Sequence, residues 1–173
     1  MKKGGLASAG FAIAAMLVAC SSESGAGGAS ASSLSACPEA NVVVAETREV
    51  SFATDVLPVF EKSCTFGACH GTAGGTNHGV YLGVRGGGGA VAVDAVHAAL
   101  VNAKSAVGPM SLVTPGAPEE SWLVRKLEGT TCTLDPSCSG GSCGERMPKG
   151  GEPLAAPQLA AIKGWIAQGA KKN

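Results

Sequence analysis

The sequence predicts a mainly α-helical domain with long glycine-rich loops, stapled by disulfides. Apolar residues recur at three- and four-residue spacing in four segments, no segment has a strong strand pattern, and seven cysteines accompany 26 glycines among 173 residues. Aromatic residues make up only 4 % of the chain, so disulfides or a buried cofactor would strengthen a weak core. The formal net charge is zero, and no nucleic-acid partner is predicted.

The first residues are typical of an export signal. Lys2 and Lys3 precede an uncharged, apolar run over residues 6–18, which is too short to span a bilayer comfortably. The segment Leu17-Val18-Ala19-Cys20 then resembles the lipobox of bacterial lipoproteins, in which the cysteine is lipidated and becomes the new first residue. We therefore expect residues 1–19 to be a lipoprotein signal peptide and Cys20 to carry the lipid. The alternative is an ordinary signal peptide that is removed together with Cys20.

Residues 20–50 are predicted to be a lipid-anchored tether and lead-in, followed by the folded domain over residues 51–173. Residues 21–35 are almost wholly Ser, Gly and Ala, the composition of a flexible linker. Ser21 stands where an aspartate would resemble an inner-membrane retention signal, which slightly favours the outer membrane. We expect the protein to lie in the cell envelope, facing the periplasm or the exterior.

The domain is expected to open with a lead-in strand and a first helix. The valines between Asn41 and Val50 predict a short extended or edge segment. Thr54 is the expected N-cap of a helix that runs to Lys62, with Asp55 in its first turn, where the helix dipole favours an anion. This helix leads the chain to Cys64.

Three further helices are predicted, each from apolar spacing and end signals. The second covers Val91–Ala103. The third starts with Pro118 at its first position and is capped by Gly129. The last starts at Pro157 and ends at Gly169.

The segment Cys64-Thr65-Phe66-Gly67-Ala68-Cys69-His70 carries the chemistry. A c-type haem is attached by two cysteine thioethers, and a histidine directly after the second cysteine reaches the iron. The usual spacing is C-x-x-C-H, whereas four residues separate the cysteines here, a wider spacing known among multihaem cytochromes. The alternative is that Cys64 and Cys69 bridge each other and that His70 is a surface residue.

Five segments, in order, resemble the small cytochrome c-like domains of planctomycete- and myxobacterial-type lipoproteins. The resemblance covers roughly residues 50–170, and its specificity lies in the order of the segments. They are Asp55-Val56-Leu57-Pro58-Val59-Phe60 with His70-Gly71, Val80 to Arg85, Val113 to Leu123, Arg146-Met147-Pro148-Lys149-Gly150-Gly151, and Ile162 to Ala170.

The resemblance implies a small cytochrome c-like fold with haem c on Cys64 and Cys69. It implies His70 as the proximal iron ligand and Met147 as the distal ligand. A thioether opposite an imidazole suits haem iron and raises its potential. Met110, next to Gly108-Pro109, is the runner-up for the distal position. His78 and His97 are further candidates, since a bis-histidine haem is common at the wider spacing.

The remaining cysteines predict two disulfides. Cys132, Cys138 and Cys143 crowd one loop, at spacings that fit no zinc-finger pattern well, and export disfavours thiolate-metal sites. One bridge is expected to close this loop, and the third cysteine is expected to reach Cys37. Which of the three does so is left open.

These features predict a membrane-anchored monohaem electron carrier without catalysis of its own, working with redox partner proteins of the envelope. The alternative is a haem-free, disulfide-rich structural or binding lipoprotein of the same fold. No Ser/His/Asp triad or paired acidic cluster supports an enzyme.

Overall fold

The computed structural model describes residues 37–66, 69–73 and 77–173. Within these ranges the chain is helical and contains no β-strand, and two isolated bridges join Val101 to Val113 and Lys104 to Ser111. The mainly α-helical, disulfide-stapled class is therefore confirmed. The signal peptide, Cys20 and the Ser/Gly/Ala segment lie outside the described residues, among which no helix is long and apolar enough to cross a membrane.

The helix before the first cysteine begins earlier than predicted. A π-helical turn, Phe52–Val56, leads directly into α1, Leu57–Ser63. The N-cap is Ser51 and not Thr54, because the Ser51 Oγ accepts a hydrogen bond from the Thr54 amide at 3.3 Å. The Ser51 amide in turn donates to Asp55 Oδ2 at 2.8 Å, so the side chains of both residues satisfy amides at the start of the turn.

The second helix, α2, covers Gly89–Leu100 and so starts and ends slightly before the predicted range. It ends because Val101 is extended, at φ −74° and ψ 122°, and bridges Val113.

The predicted third helix is interrupted near its start. A 3-10 turn, Pro118–Glu120, is followed by an extended Ser121 and then by α3, Trp122–Glu128. The Ser121 Oγ accepts from the Thr114 amide at 2.9 Å and donates to the Ala117 carbonyl at 3.0 Å, and these bonds hold it out of helical geometry. The end agrees with the prediction, since Gly129 caps α3 in the left-handed region at φ 71°.

The last helix, α4, covers Ala156–Ala167 and packs against the first turn and α3. Its Trp165 lies at the centre of the core, with its ring centroid 4.8 Å from that of Phe52. The core also contains the apolar residues Leu127, Leu159, Ile162 and Trp165, each no more than 2 % exposed.

The lead-in, residues 37–50, forms no strand but lies against α3 and α4. The amide of Asn41 donates to the carbonyl of Glu128 at 2.7 Å, and the amide of Glu46 donates to the carbonyl of Ala160 at 2.9 Å. No edge strand forms, because the Asn41 and Glu46 amides bond to helix carbonyls and the Val43 amide donates to Glu128 Oε1 at 3.3 Å.

Candidate functional site

The two cysteines of the C-x4-C-H segment are thiols, whereas the other four cysteines between residues 37 and 173 form disulfides. Cys64 follows α1 directly, and its amide donates to the Phe60 carbonyl at 2.8 Å. Its side chain belongs to the buried core, whereas Cys69 is exposed. Gly67 and Ala68, which stand between them in sequence, lie outside the described residues.

Burial and its neighbour set the protonation of Cys64. Removal from water, with a smaller contribution from Cys69, raises the pKa of the Cys64 thiol to about 12. Cys64 is therefore a protonated, apolar side chain, and Cys69 is the solvent-facing thiol of the pair.

His70 is brought back to Cys64 by a turn of the backbone. The His70 amide donates to the Cys64 carbonyl at 2.9 Å, and the Leu82 amide donates to the His70 carbonyl at the same distance. The second contact ties the segment to the short apolar run over residues 80–84, whose Leu82 is buried.

The imidazole of His70 has a defined orientation. Its Nδ1 lies 3.0 Å from the carbonyl oxygen of Val80. A carbonyl only accepts, so Nδ1 must carry a proton, and Nε2 is the nitrogen that offers a lone pair in the neutral ring. Proteins orient a metal-binding histidine by a hydrogen bond to the ring nitrogen that does not bind the metal.

Met147 is anchored to a different helix from the C-x4-C-H segment. Its amide donates to the carbonyl of Lys126 on α3 at 2.8 Å, and its half-buried side chain packs against the core. Among the described residues, no hydrogen bond joins this loop to Cys64, Cys69 or His70. The structure thus brings three of the four predicted haem residues together and holds the fourth on a separate anchor.

The alternative distal ligands differ in how free they are. His97 Nε2 lies 2.8 Å from the Ala170 carbonyl, and the ring stacks edge-on to Phe52 at 5.5 Å, so this imidazole has a structural role. His78 is exposed, with a φ of 56°. Met110 is half-buried against the core.

The four remaining cysteines form two disulfides. Cys138 pairs with Cys143 within the loop, and Cys37 pairs with Cys132, which ties the lead-in to the domain. Because each of these four sulfurs is bonded to one other sulfur, none is a thiolate that could bind zinc. The residues described also contain no group of three or more His, Cys, Asp or Glu side chains that could hold a metal ion.

The donor set fits covalent haem, because a c-type attachment needs two thiols with an oriented histidine beside the second one. Two open surface cavities of about 440 and 360 Å³ lie elsewhere. The larger lies beside the Cys37–Cys132 disulfide, and the smaller lies between Glu61 and Arg85. Neither is lined by Cys64, Cys69, His70 or Met147.

Comparison with known protein families, characterised proteins and solved structures found no significant match to this chain. A functional proposal therefore depends on the residues of the site themselves.

Two contributors to the site could not be found by reading the sequence. Val80 acts through its backbone carbonyl, which any residue type supplies. Lys126 is buried on α3, where removal from water lowers the pKa of its ammonium group, and a lysine in the last turn of a helix ordinarily indicates a solvent-exposed cation. Only the path of the loop over α3 makes its role visible.

Proposed function

We propose that this protein is a membrane-anchored, monohaem c-type cytochrome-like electron carrier of the cell envelope. Haem c would be linked to Cys64 and Cys69, with His70 as the proximal and Met147 as the distal iron ligand. The observation that carries the proposal is the pairing of the only two thiols among the described cysteines with a histidine whose Nδ1 is held by the Val80 carbonyl.

When bound, haem c supplies one-electron chemistry by cycling between ferric and ferrous iron. The chain's own residues set the conditions for it. The Val80 carbonyl fixes the His70 ring so that Nε2 is the coordinating atom, and a thioether from Met147 would favour the reduced form. Because His70 and Met147 would both hold the iron, the chain would leave it no position for a substrate, and we therefore propose electron transfer and not catalysis.

One side of the segment, at Cys64, borders the apolar core. Cys64 lies in one apolar cluster with Phe60 and Leu82, and Leu127, Leu159, Ile162 and Trp165 belong to the same cluster. A low-dielectric environment disfavours the extra charge of ferric haem and so raises the potential.

The proposed electron carrier is tested by haem attachment. The chain is produced beside a working haem-attachment system, and its intact mass and pyridine haemochrome spectrum are measured. We expect one haem per chain, and a variant carrying both Cys64→Ser and Cys69→Ser should carry none. A control carrying Cys138→Ser and Cys143→Ser should keep its haem. Wild-type protein without added haem mass would refute the carrier.

In that case the second candidate, a haem-free, disulfide-rich structural or binding lipoprotein, would take its place. One observation favours it. Cys64 is 9 % exposed in a core that already contains Phe60 and Leu82, so the domain closes a continuous core from its own side chains.

Anchoring of the carrier through Cys20 is a separate part of the proposal. Lipidation would hold it on a membrane, with the outer membrane favoured, where redox proteins of the envelope are its partners. Cys20→Ala should move the protein from the membrane fraction to the soluble fraction, whereas the neighbouring Ser21→Ala should leave it in the membrane. Unchanged fractionation of Cys20→Ala would contradict lipidation.

A further inference from the structure

Lys126 is a buried lysine with unusual partners. The residue is 8 % exposed, and its Nζ donates to the Cys143 carbonyl at 3.0 Å and to the Glu145 carbonyl. Lysines are almost never buried unless they are paired. Lys126 forms no ion pair with a described carboxylate, so loop carbonyls are what compensate its charge.

The backbone of the same residue contacts the loop a third time. The Lys126 carbonyl accepts the amide proton of Met147 at 2.8 Å. One residue of α3 thus binds the loop at positions 143, 145 and 147, by two carbonyls and one amide. Met147 is the last of these three positions, so its backbone is fixed relative to the helix.

The loop is built to wrap around this side chain. Gly144, at φ 73°, lies between the two residues whose carbonyls accept from Lys126, and a Cβ on it would lie 3.6 Å from Lys126 Nζ. A positive φ is readily adopted by glycine, and here it turns the carbonyls on either side toward the ammonium group.

Independent contacts hold the two ends of the wrapped segment. Cys143 is bonded to Cys138, and its amide donates to Asp135 Oδ1 at 2.7 Å. Beyond the methionine, the Arg146 guanidinium donates to the Gly151 carbonyl at 3.0 Å. The Lys126 contacts therefore join a loop that is already closed at both ends to the helix beneath it.

We propose that Lys126 is the positioning residue for Met147, setting the place of its thioether through the three contacts with the loop. This inference rests on the proposed function, in which Met147 is the distal ligand. It assigns a role to a side chain that never touches the iron.

The test compares Lys126→Met with Lys149→Met in haem-loaded protein. Methionine keeps the length of the lysine stem but has no N–H to donate. Lys149 lies in the same loop with a side chain that is 70 % exposed, which makes it the matched control. We expect Lys126→Met to retain its covalent haem, to lose much of the weak near-infrared band of methionine-ligated ferric haem, and to bind added imidazole roughly tenfold more tightly. Lys149→Met should behave as wild type.

A merely structural role would lower the melting temperature but leave the band and the imidazole affinity unchanged. Haem-loaded Lys126→Met with a wild-type band would therefore overturn the positioning role while leaving the electron carrier standing.

Hydrogen exchange supplies a readout that needs no haem. In the wild-type protein, the Met147 amide should exchange slowly, and the exposed Gly150 amide should exchange fast. Lys126→Met should speed exchange at Met147 by roughly tenfold. Rapid exchange at Met147 in the wild-type protein would refute the positioning role of Lys126 even if the variant failed to fold. A protein that acquires no haem but exchanges slowly at Met147 would refute the proposed function alone, since the missing haem contradicts the carrier and the slow exchange supports the contacts with Lys126.

Discussion

The imidazole of His70 illustrates how a single backbone atom can decide the chemistry of a side chain. Its neighbours in sequence, Cys69 and Gly71, leave the tautomer undefined. The carbonyl of Val80, ten residues away, places a proton on Nδ1 and leaves Nε2 as the ring nitrogen available to a metal. Substitution at Val80 would leave this contact in place, because the acceptor belongs to the backbone.

Removal of the Met147 thioether is the residue-level test of the distal ligand. Met147→Ala should abolish the near-infrared band of the ferric protein and lower its reduction potential, because a thioether stabilises ferrous iron. Visible and near-infrared spectra and a redox titration measure both. Met110→Ala is the matched control, since Met110 is also half-buried against the core. An unchanged spectrum in Met147→Ala would pass the distal position to Met110, His78 or His97.

A buried ion pair is the main polar feature of the core. Lys163 Nζ lies 2.6 Å from Glu128 Oε1 and 2.7 Å from Glu119 Oε1, and the Lys163 and Glu128 side chains are 3 % and 0 % exposed. Although burial opposes it, hydrogen bonding to both carboxylates raises the pKa of Lys163, so this lysine remains charged. Burial raises the pKa of Glu128, and the contact with Lys163 counteracts that rise.

Breaking this pair should be costly. Lys163→Met leaves Glu128 as an uncompensated buried carboxylate, and we expect it to lower the free energy of unfolding by about 3–5 kcal/mol in urea titrations. Lys172→Met removes an exposed pair with Asp94, and its effect should stay below about 1 kcal/mol. Equal effects of the two substitutions would show that the buried pair adds nothing beyond a surface contact.

At the scale of elements, the start of the first helix depends on local capping contacts and on contacts with Asn173. Ser51 and Asp55 cap the turn locally. The backbone carbonyl of Asn173 accepts from the Ala53 amide at 2.9 Å, and the side-chain Oδ1 of Asn173 accepts from the Phe52 amide at the same distance. Free helix-initial amides are satisfied in this way, which places the beginning of α1 and hence Cys64.

Asp55 makes this helix start sensitive to acid. A hydrogen bond from Arg48, and then one from the Ser51 amide, lowers the pKa of Asp55 below its ordinary 3.8. A depressed folded-state pKa contributes stability that is present above pH 3.8 and is lost as pH falls through the folded value. Asp55→Asn should therefore destabilise the protein at neutral pH but progressively less below pH 3.8.

Urea unfolding of both proteins across this pH range measures the difference. Glu49→Gln is a suitable control, because the side chain of this exposed glutamate forms no described hydrogen bond or ion pair. A destabilisation by Asp55→Asn that stayed constant with pH would contradict the role of the ionised carboxylate.

For the molecule as a whole, the two disulfides act at different ranges. Cys37 and Cys132 are 95 residues apart in sequence, whereas Cys138 and Cys143 are five apart. A crosslink that closes a longer loop removes more conformational freedom from the unfolded chain. The first bridge therefore stabilises the entire domain, and the second mainly shapes the loop before Met147.

Replacing each pair by serine separates these roles. The Cys37→Ser and Cys132→Ser variant should lose about 4 kcal/mol of unfolding free energy, and the Cys138→Ser and Cys143→Ser variant should lose less. In haem-loaded protein, only the second variant should weaken the near-infrared band. Thermal and urea unfolding together with spectra check both expectations, and a larger loss of stability from the short bridge would contradict them.

The sequence by itself determined the helical class, the end of α3 at Gly129 and the partition of the cysteines into disulfides and a C-x4-C-H segment. These features follow from local signals, namely the spacing of apolar residues, a glycine at positive φ and the spacing of the cysteines. Such signals act between residues that are close in sequence. The haem, its ligands and the lipid anchor stay predictions.

Only the tertiary structure decided which cysteine pairs with Cys37, which nitrogen of His70 is free, and how α3 holds the Met147 loop. It also decided that Ser121 interrupts the predicted third helix, because its hydroxyl group accepts from the Thr114 amide and donates to the Ala117 carbonyl. Each of these outcomes depends on a backbone atom or a buried charge contributed by a different segment. Backbone carbonyls and amides are the same in every residue type, so their partners are set by packing and leave no mark in the sequence.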